Sequence, residues 1–429
     1  DVERSRGLGD VYKRQEDFQG LKELTSGKFG GLGMEITKEN NAISVISPIE
    51  DTPAARAGIK PGDLIIKIDG VSTKDMSTME ASKKMRGKPG THVVLTVLSK
   101  GRLAPVNLDL QRAIIHVRSV KSKLMAPHIG YIRVSTFSEE TLADFIKQLQ
   151  SLIKENHNQP LKGLIFDLRN DGGGLLNAAV GVTGAFIPSG AVVVSTKGRN
   201  KIQQTVLKAS PEFYRNPGES SSAPDLLQGL PLEIKQVPIV VLINSGTASA
   251  SEIVTGALQD YRRAVVVGTQ SFGKASVQTV IPLQNEAGLK LTVALYYTPK
   301  DRSIQARGIV PDIEVKSVED ELFDLHEADF DNHLSAPGAQ RARTIGKENK
   351  TISKLESIDP EAYQKKRKEL QDKFRKQASF GYIPDPKTDI QLKKALDVVQ
   401  NHALWQKSLG AYVKNEAKIK KAEKKLKRQ

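Results

Sequence analysis

Two residues of complementary chemistry stand 25 positions apart: Ser249, within G-T-A-S-A-S-E-I (246–253), and Lys274, within F-G-K-A-S-V-Q (272–278). A serine hydroxyl is a poor nucleophile until a base takes its proton. Histidine is the usual base, but the seven histidines (His92, His116, His128, His157, His326, His333 and His402) all fall outside these two motifs. Lysine can take that role if apolar surroundings bring its pKa from ~10.4 towards 7, a shift worth about 4 to 5 kcal/mol. Phe272, Val277 and the run Val265 to Val267 supply apolar neighbours, and the amide of Gln278, four residues beyond Lys274, can orient the amine. The chemistry these types support is nucleophilic acyl transfer.

Stepping outward, the apolar β-branched run Ile239 to Ile243, bounded by Pro238 and Asn-Ser-Gly, predicts a buried strand. Apolar positions at helical spacing from Ala248 to Leu258 predict a helix, and Ala264 to Val267 a second buried strand. Strand, helix, strand in that order predicts a parallel pair, whose strands end at one edge and bring Ser249 and Lys274 to one place. Ser249 then lies in the first helical turn, where unpaired N–H groups and the dipole favour negative charge. Ser251 is the rival nucleophile. Two other motifs overlap the lysine. Gly268 to Lys274 fits a phosphate loop but is followed by Ala275 where a magnesium-binding hydroxyl is required. Ser271 to Lys274 fits S-x-x-K, but the chain has no K-T-G. The plainest alternative is a set of small residues that permit close packing beside a solvated lysine. A third strand-to-helix joint lies upstream: Gly163 to Leu168 predicts a buried strand, Arg169-Asn-Asp-Gly-Gly-Gly174 a turn, and Leu175 to Phe186 a helix. Glycines there expose backbone N–H groups at a helix start, as an oxyanion hole needs.

Nearer the amino end, Gly30 to Ile36 and Ser44 to Arg112 resemble a PDZ domain in their alternating strands, the Pro53-Ala-Ala-Arg-Ala-Gly58 turn and Lys60-Pro-Gly-Asp63. Such domains add a peptide's C-terminus as a strand and hold its carboxylate on backbone N–H groups. That loop is Gly31-Leu32-Gly33-Met34, and the groove helix Thr78 to Met85 offers Met79 and Ser82.

Taken together these motifs resemble the carboxyl-terminal processing, or tail-specific, proteases, closely over residues 17–315. The resemblance implies Ser249 as nucleophile, Lys274 as general base and Gln278 as its orienting partner. It implies an oxyanion hole from the Ala250 N–H and that of Gly173 or Gly174, with Gly172 where the family carries proline. It implies protein substrates with exposed apolar C-termini, whose docking moves the PDZ domain off the site, and a periplasmic location. An adaptor and self-association are possible partners. No cofactor or metal is implied. The other reading is a catalytically silent PDZ adaptor. The fold expected is α/β (α+β overall): residues 1–24 an artefactual stretch plus a helical remnant, 25–112 a PDZ domain, 113–318 a parallel-sheet peptidase core, and 319–429 a basic, mainly helical extension.

Bulk properties narrow the classes. Without any apolar run of about 18 residues, no transmembrane segment is expected. With no cysteine in 429 residues there is no disulfide and no thiolate metal site. The net charge of +15 concentrates at the C-terminal end, where residues 401–429 hold nine Lys/Arg against two Glu. Trp405 and Tyr412 are the only aromatics there, so no stacking face for nucleic acid is expected. D-V-E-R-S-R-G-L-G-D-V-Y-K-R-Q lacks periodicity and reads as a cloning or adapter scar, leaving any signal peptide unseen. Ser189 to Pro231 is a polar excursion expected to form a flap.

Overall fold

The computed structural model describes residues 11–13, 15–39, 42–99, 104–198, 204–283, 287–317, 320, 325–330, 333–334 and 383–415. Residues 360–376, within the extension expected to be mainly helical, and the last basic stretch lie outside them. The chain forms two compact units, Ser26–Val117 and the remainder.

In the smaller unit, residues of alternating polarity form an antiparallel sheet in the order Met34–Glu39, Ala42–Pro48, Leu64–Ile68, His92–Leu98, Val106–Gln111, with Val71–Ser72 pairing Leu64–Ile68. Within His92–Leu98, Val93, Leu95 and Val97 are buried, as period two requires. The Thr78–Met85 helix starts with a reciprocal cap: Ser77 Oγ accepts the Glu80 N–H (3.1 Å) and the Glu80 carboxylate accepts the Ser77 N–H (2.7 Å). Its Ala81 and Met85 join Leu32, Ile43, Ile65 and Leu95 in the core. Met34–Glu39 is an outer strand, paired on one side by Ala42–Pro48, and the helix lies beside it. The strand Ala113–His116, expected in the core, closes this unit instead by pairing with Lys28–Gly31, so the unit's two ends meet where Val117 N–H donates to Gly27 O (2.8 Å).

The larger unit is built on a six-stranded sheet in the order Val120–Ala126, Ile129–Val134, Gly163–Asp167, Ile239–Ile243, Ala264–Gly268, Ile313–Glu314. Only the first pair is antiparallel. The central strands are buried at every position, the pattern of a sheet covered on both faces. Ile239, Val241 and Ile243 face a core shared with the helices Thr141–Glu155, Leu176–Gly184 and Ala250–Asp260. Val240 and Leu242 face the other way, onto Leu392, Ala395 and Val398 of Ile390–Gln400 and Trp405 of His402–Ser408. Helices assigned by sequence to a C-terminal extension thus form the sheet's second cover, and Trp405 Nε1 donates to Ile239 O (2.8 Å).

A second sheet joins Val192–Gly198, Thr205–Lys208, Ser276–Pro282 and Gly288–Tyr297. The stretch expected as a flap therefore contributes two of its strands. Val11–Lys13, inside the stretch set aside as a scar, pairs with Gly288–Lys290.

Candidate active site

Strand Ile239–Ile243 runs through a short turn to Ser249, which caps the Ala250–Asp260 helix with φ 55° and ψ −115°. A non-glycine residue there costs of order 1–3 kcal/mol and survives only where its surroundings impose it. The surroundings are visible. The Glu252 side chain, fully buried, reaches back to accept the Ser249 N–H on Oε2 (2.9 Å). The same oxygen accepts the Lys274 N–H (2.9 Å), while Oε1 accepts the Gly273 N–H (2.8 Å) and the Ser271 hydroxyl (2.5 Å). Burial pushes the Glu252 pKa up to about 7 against the pull of these donors. Opposite it, the buried Tyr296 hydroxyl lies 2.9 Å from Ser249 O and 2.5 Å from Lys274 O. The main chains of Ser249 and Lys274 therefore share an acidic clasp on their N–H groups and a phenol on their carbonyls.

The Lys274 side chain is half-buried. Burial, seconded by the charge of Lys290, lowers its pKa to about 8, and Glu327 and Glu252 oppose that shift. Glu327 arrives on Glu327–Asp329, whose first N–H donates to Phe272 O (2.9 Å), while the rings of Phe272 and Phe330 meet at a tilt of 56° with centroids 6.1 Å apart. Gln278 lies on Ser276–Pro282 just past a bulge, and its Nε2 donates to Thr292 Oγ1 (3.3 Å). The rival Ser251 is fully buried and its Oγ donates to Asp171 O (3.1 Å), so it is occupied in structure.

The glycine turn abuts the serine. Gly173 has φ +94°, and a Cβ added there would lie 2.8 Å from Ser249 Cβ and 2.7 Å from Ala250 N. Its N–H donates to Asp171 Oδ1 (2.8 Å). Phe137 bonds the Gly173 carbonyl (3.0 Å) and the Leu175 N–H (2.8 Å), so the N–H of Gly174 between them faces away from Phe137. The turn is rooted by Asp167 and Arg169, bonded at 2.6 Å, with Asp389 at 2.8 Å from the same guanidinium. Against the cost of burial, Arg169 holds Asp167 at about 2.

In the smaller unit, Leu32 O accepts the Ala54 N–H (2.9 Å), and Gly33 O accepts the Ile49 N–H and Thr52 Oγ1 (both 2.9 Å). Gly31 and Gly33 are buried, Leu32 is buried in the core, Met34 and Ser82 are half-buried and Met79 is exposed. Among the described residues no cluster of His, Cys, Asp and Glu is placed to hold a metal, and no helix is long and apolar enough to cross a membrane.

Peptidase family S41 matches residues 128–315 and a PDZ domain matches residues 44–99. A carboxy-terminal-processing protease of Bartonella bacilliformis is 41% identical over 398 residues, covering 91% of this chain and 79% of that protein. The chain is a carboxy-terminal-processing serine protease of peptidase family S41. A carboxyl-terminal-processing protease of Synechocystis sp. is 36% identical over 305 residues, covering 70% of this chain and 65% of that protein. The solved photosystem II D1 C-terminal processing protease is 28% identical over 72% of this chain and 78% of its own, with a TM-score of 0.40.

Of the residues that sequence reasoning overlooked, Glu252 carried a signal: S-x-x-E beginning at Ser249 is a helix-capping pattern. Tyr296 and Asp171 carried none, because their importance lies in which distant carbonyl or N–H they meet.

Proposed function

We propose that this family member is an endopeptidase that cleaves through a Ser249/Lys274 dyad after recognising the C-terminus of an unfolded protein with its PDZ domain. One observation carries the reading: Ser249 sits in a strained turn whose main chain shares two partners, Glu252 and Tyr296, with that of Lys274. Neutral Lys274 takes the proton of Ser249 Oγ as that oxygen attacks the scissile carbonyl. The N–H groups of Ala250 and, of the two glycines, Gly174 donate to the developing oxyanion, since that of Gly173 is engaged by Asp171. The ammonium of Lys274 then protonates the leaving amine, and the amine so regenerated activates water to hydrolyse the acyl ester. Gln278 orients the amine. Because the base acts deprotonated, kcat/KM rises with pH on the acid side of about 8.

Tail recognition is supported by the outer strand Met34–Glu39, which lies beside the Thr78–Met85 helix and, among the described residues, pairs with a strand on one side only. A trans peptide points its N–H opposite its carbonyl. With the carbonyls of Leu32 and Gly33 bound inward, the N–H groups of Gly33 and Met34 turn outward, as carboxylate capture requires. A periplasmic site of action belongs to the same reading, and the relatives that match are bacterial.

The test is cleavage of an unstructured, apolar-ended polypeptide by wild type, Ser249→Ala and Lys274→Ala. A fall of ~10⁴-fold or more in kcat/KM is expected for each. Unchanged cleavage by both variants would exclude the dyad, and a wild type that neither cleaves nor takes up a serine-directed acylating probe would leave a peptide-tail adaptor.

A further inference from the structure

The buried carboxyl of Asp171 takes no part in the proton transfers above, yet its residue is bonded to the segments that carry Ser249 and the oxyanion donors. Asp171 O accepts the Ala248 N–H (2.9 Å) and the Ser251 hydroxyl (3.1 Å), tying it to the residues on either side of the Ser249–Ala250 step. Oδ1 accepts the Gly173 N–H (2.8 Å), and Oδ2 is enclosed without a hydrogen-bond partner. Gly173 in turn packs on Ser249 Cβ and Ala250 N so closely that no side chain fits between.

An ionised carboxylate here would leave one oxygen buried without a donor, at a cost comparable to several hydrogen bonds. It would also stand one peptide from the place where the reaction builds negative charge. The groups that face it are few: Gly173 N–H from its own turn, the Ser251 hydroxyl from the Ala250–Asp260 helix, and the Arg133 guanidinium from the Ile129–Val134 strand. Burial outweighs all three and pushes the pKa of Asp171 up to about 8.

Resting on the Ser249/Lys274 reading, we propose that Asp171 is a positioning residue that works only with its proton in place. The neutral acid holds the Gly173 peptide against Ser249 and Ala250. Ionisation puts a negative charge beside the oxyanion position and shuts the reaction down from the alkaline side. Lys274 and Asp171 both titrate near 8, so the competent form, a neutral amine with a protonated acid, is confined to a narrow window around that pH.

Asp171→Asn keeps the shape and the Oδ1 acceptor but cannot ionise. Labelling of Ser249 by a fluorophosphonate, whose phosphoryl oxygen occupies the same hole, reads the difference. Wild-type labelling should climb and then turn down above about pH 8. The ratio of Asp171→Asn to wild-type rates should rise about tenfold between about pH 7 and pH 9, with the Lys274 limb kept. Stability supplies a readout independent of labelling. The native state holds a proton that the unfolded chain sheds near 4, so wild-type stability falls from there to about 8, and Asp171→Asn should gain on wild type across that range. A rate ratio that does not change with pH overturns the proposal, as does wild-type labelling that stays level to about pH 10 should the variant fail to fold. Labelling that persists in Ser249→Ala overturns the dyad reading itself, and this proposal with it.

Discussion

The central strands of the larger unit's core sheet are buried on both faces, and Ser249 and the Gly172–Gly174 turn follow the C-terminal ends of two of them. The sheet of the smaller unit is antiparallel, and among the described residues no strand pairs with the outer side of Met34–Glu39. The difference is one of completion. A sheet whose central strands are buried on both faces holds a strained residue such as Ser249 in place, because the fold has no cheaper arrangement to relax into. A sheet with an unpaired edge recognises another chain through main-chain hydrogen bonds, which tolerate many sequences, and leaves discrimination to the last side chain and the carboxylate.

The comparison breaks most sharply at Gly173. A methyl there meets the main chain of Ala248 and Ala250 at 2.7 Å in a left-handed backbone. Gly173→Ala should cost about 1–3 kcal/mol in stability from backbone strain alone. It should also lower kcat/KM by ~10²-fold or more through displacement of the serine, measured by thermal unfolding and peptide cleavage. If activity survives, the close approach is incidental.

Removal of Ser26–Val117 tests the other side. Gly27 and Val117 are hydrogen-bonded neighbours, so a short linker can replace the whole unit. The excised core should lose a preference for free apolar C-termini over amidated ones, expected at ~10-fold or more, about 1.4 kcal/mol. Selectivity retained by the core would transfer recognition to the larger unit. The smallest effect is expected at Gly172, which has no positive φ and open space around its would-be Cβ. Gly172→Ala should stabilise the chain by ~0.4–1 kcal/mol by restricting the unfolded state, seen as a higher denaturant midpoint at unchanged m.

Much of this was legible beforehand where the signal is local. β-branched runs between turn residues read as buried strands, and the strands Ile239–Ile243, Gly163–Asp167 and Ala264–Gly268 follow them. The motifs around Ser249 and Lys274 stood out because small residues, a serine and a lysine recur at fixed spacing. The helical character of the C-terminal segment was legible, but not the berth of Ile390–Gln400 under the sheet, where Arg169 meets Asp389 220 residues later.

By itself the sequence determined the order of elements, the parallel sense of the core pair and the residues capable of acyl chemistry, since periodicity, turn propensity and side-chain type all act within a few residues. Only the tertiary structure decided that Glu252 and Tyr296 would bind the main chains of Ser249 and Lys274 together, that Ser251 would be spent on Asp171, and that Asp171 would lie sealed beside Gly173. Those outcomes depend on which donors and acceptors from distant segments are shut away from water together, and burial, not sequence position, fixes the strength of each such contact.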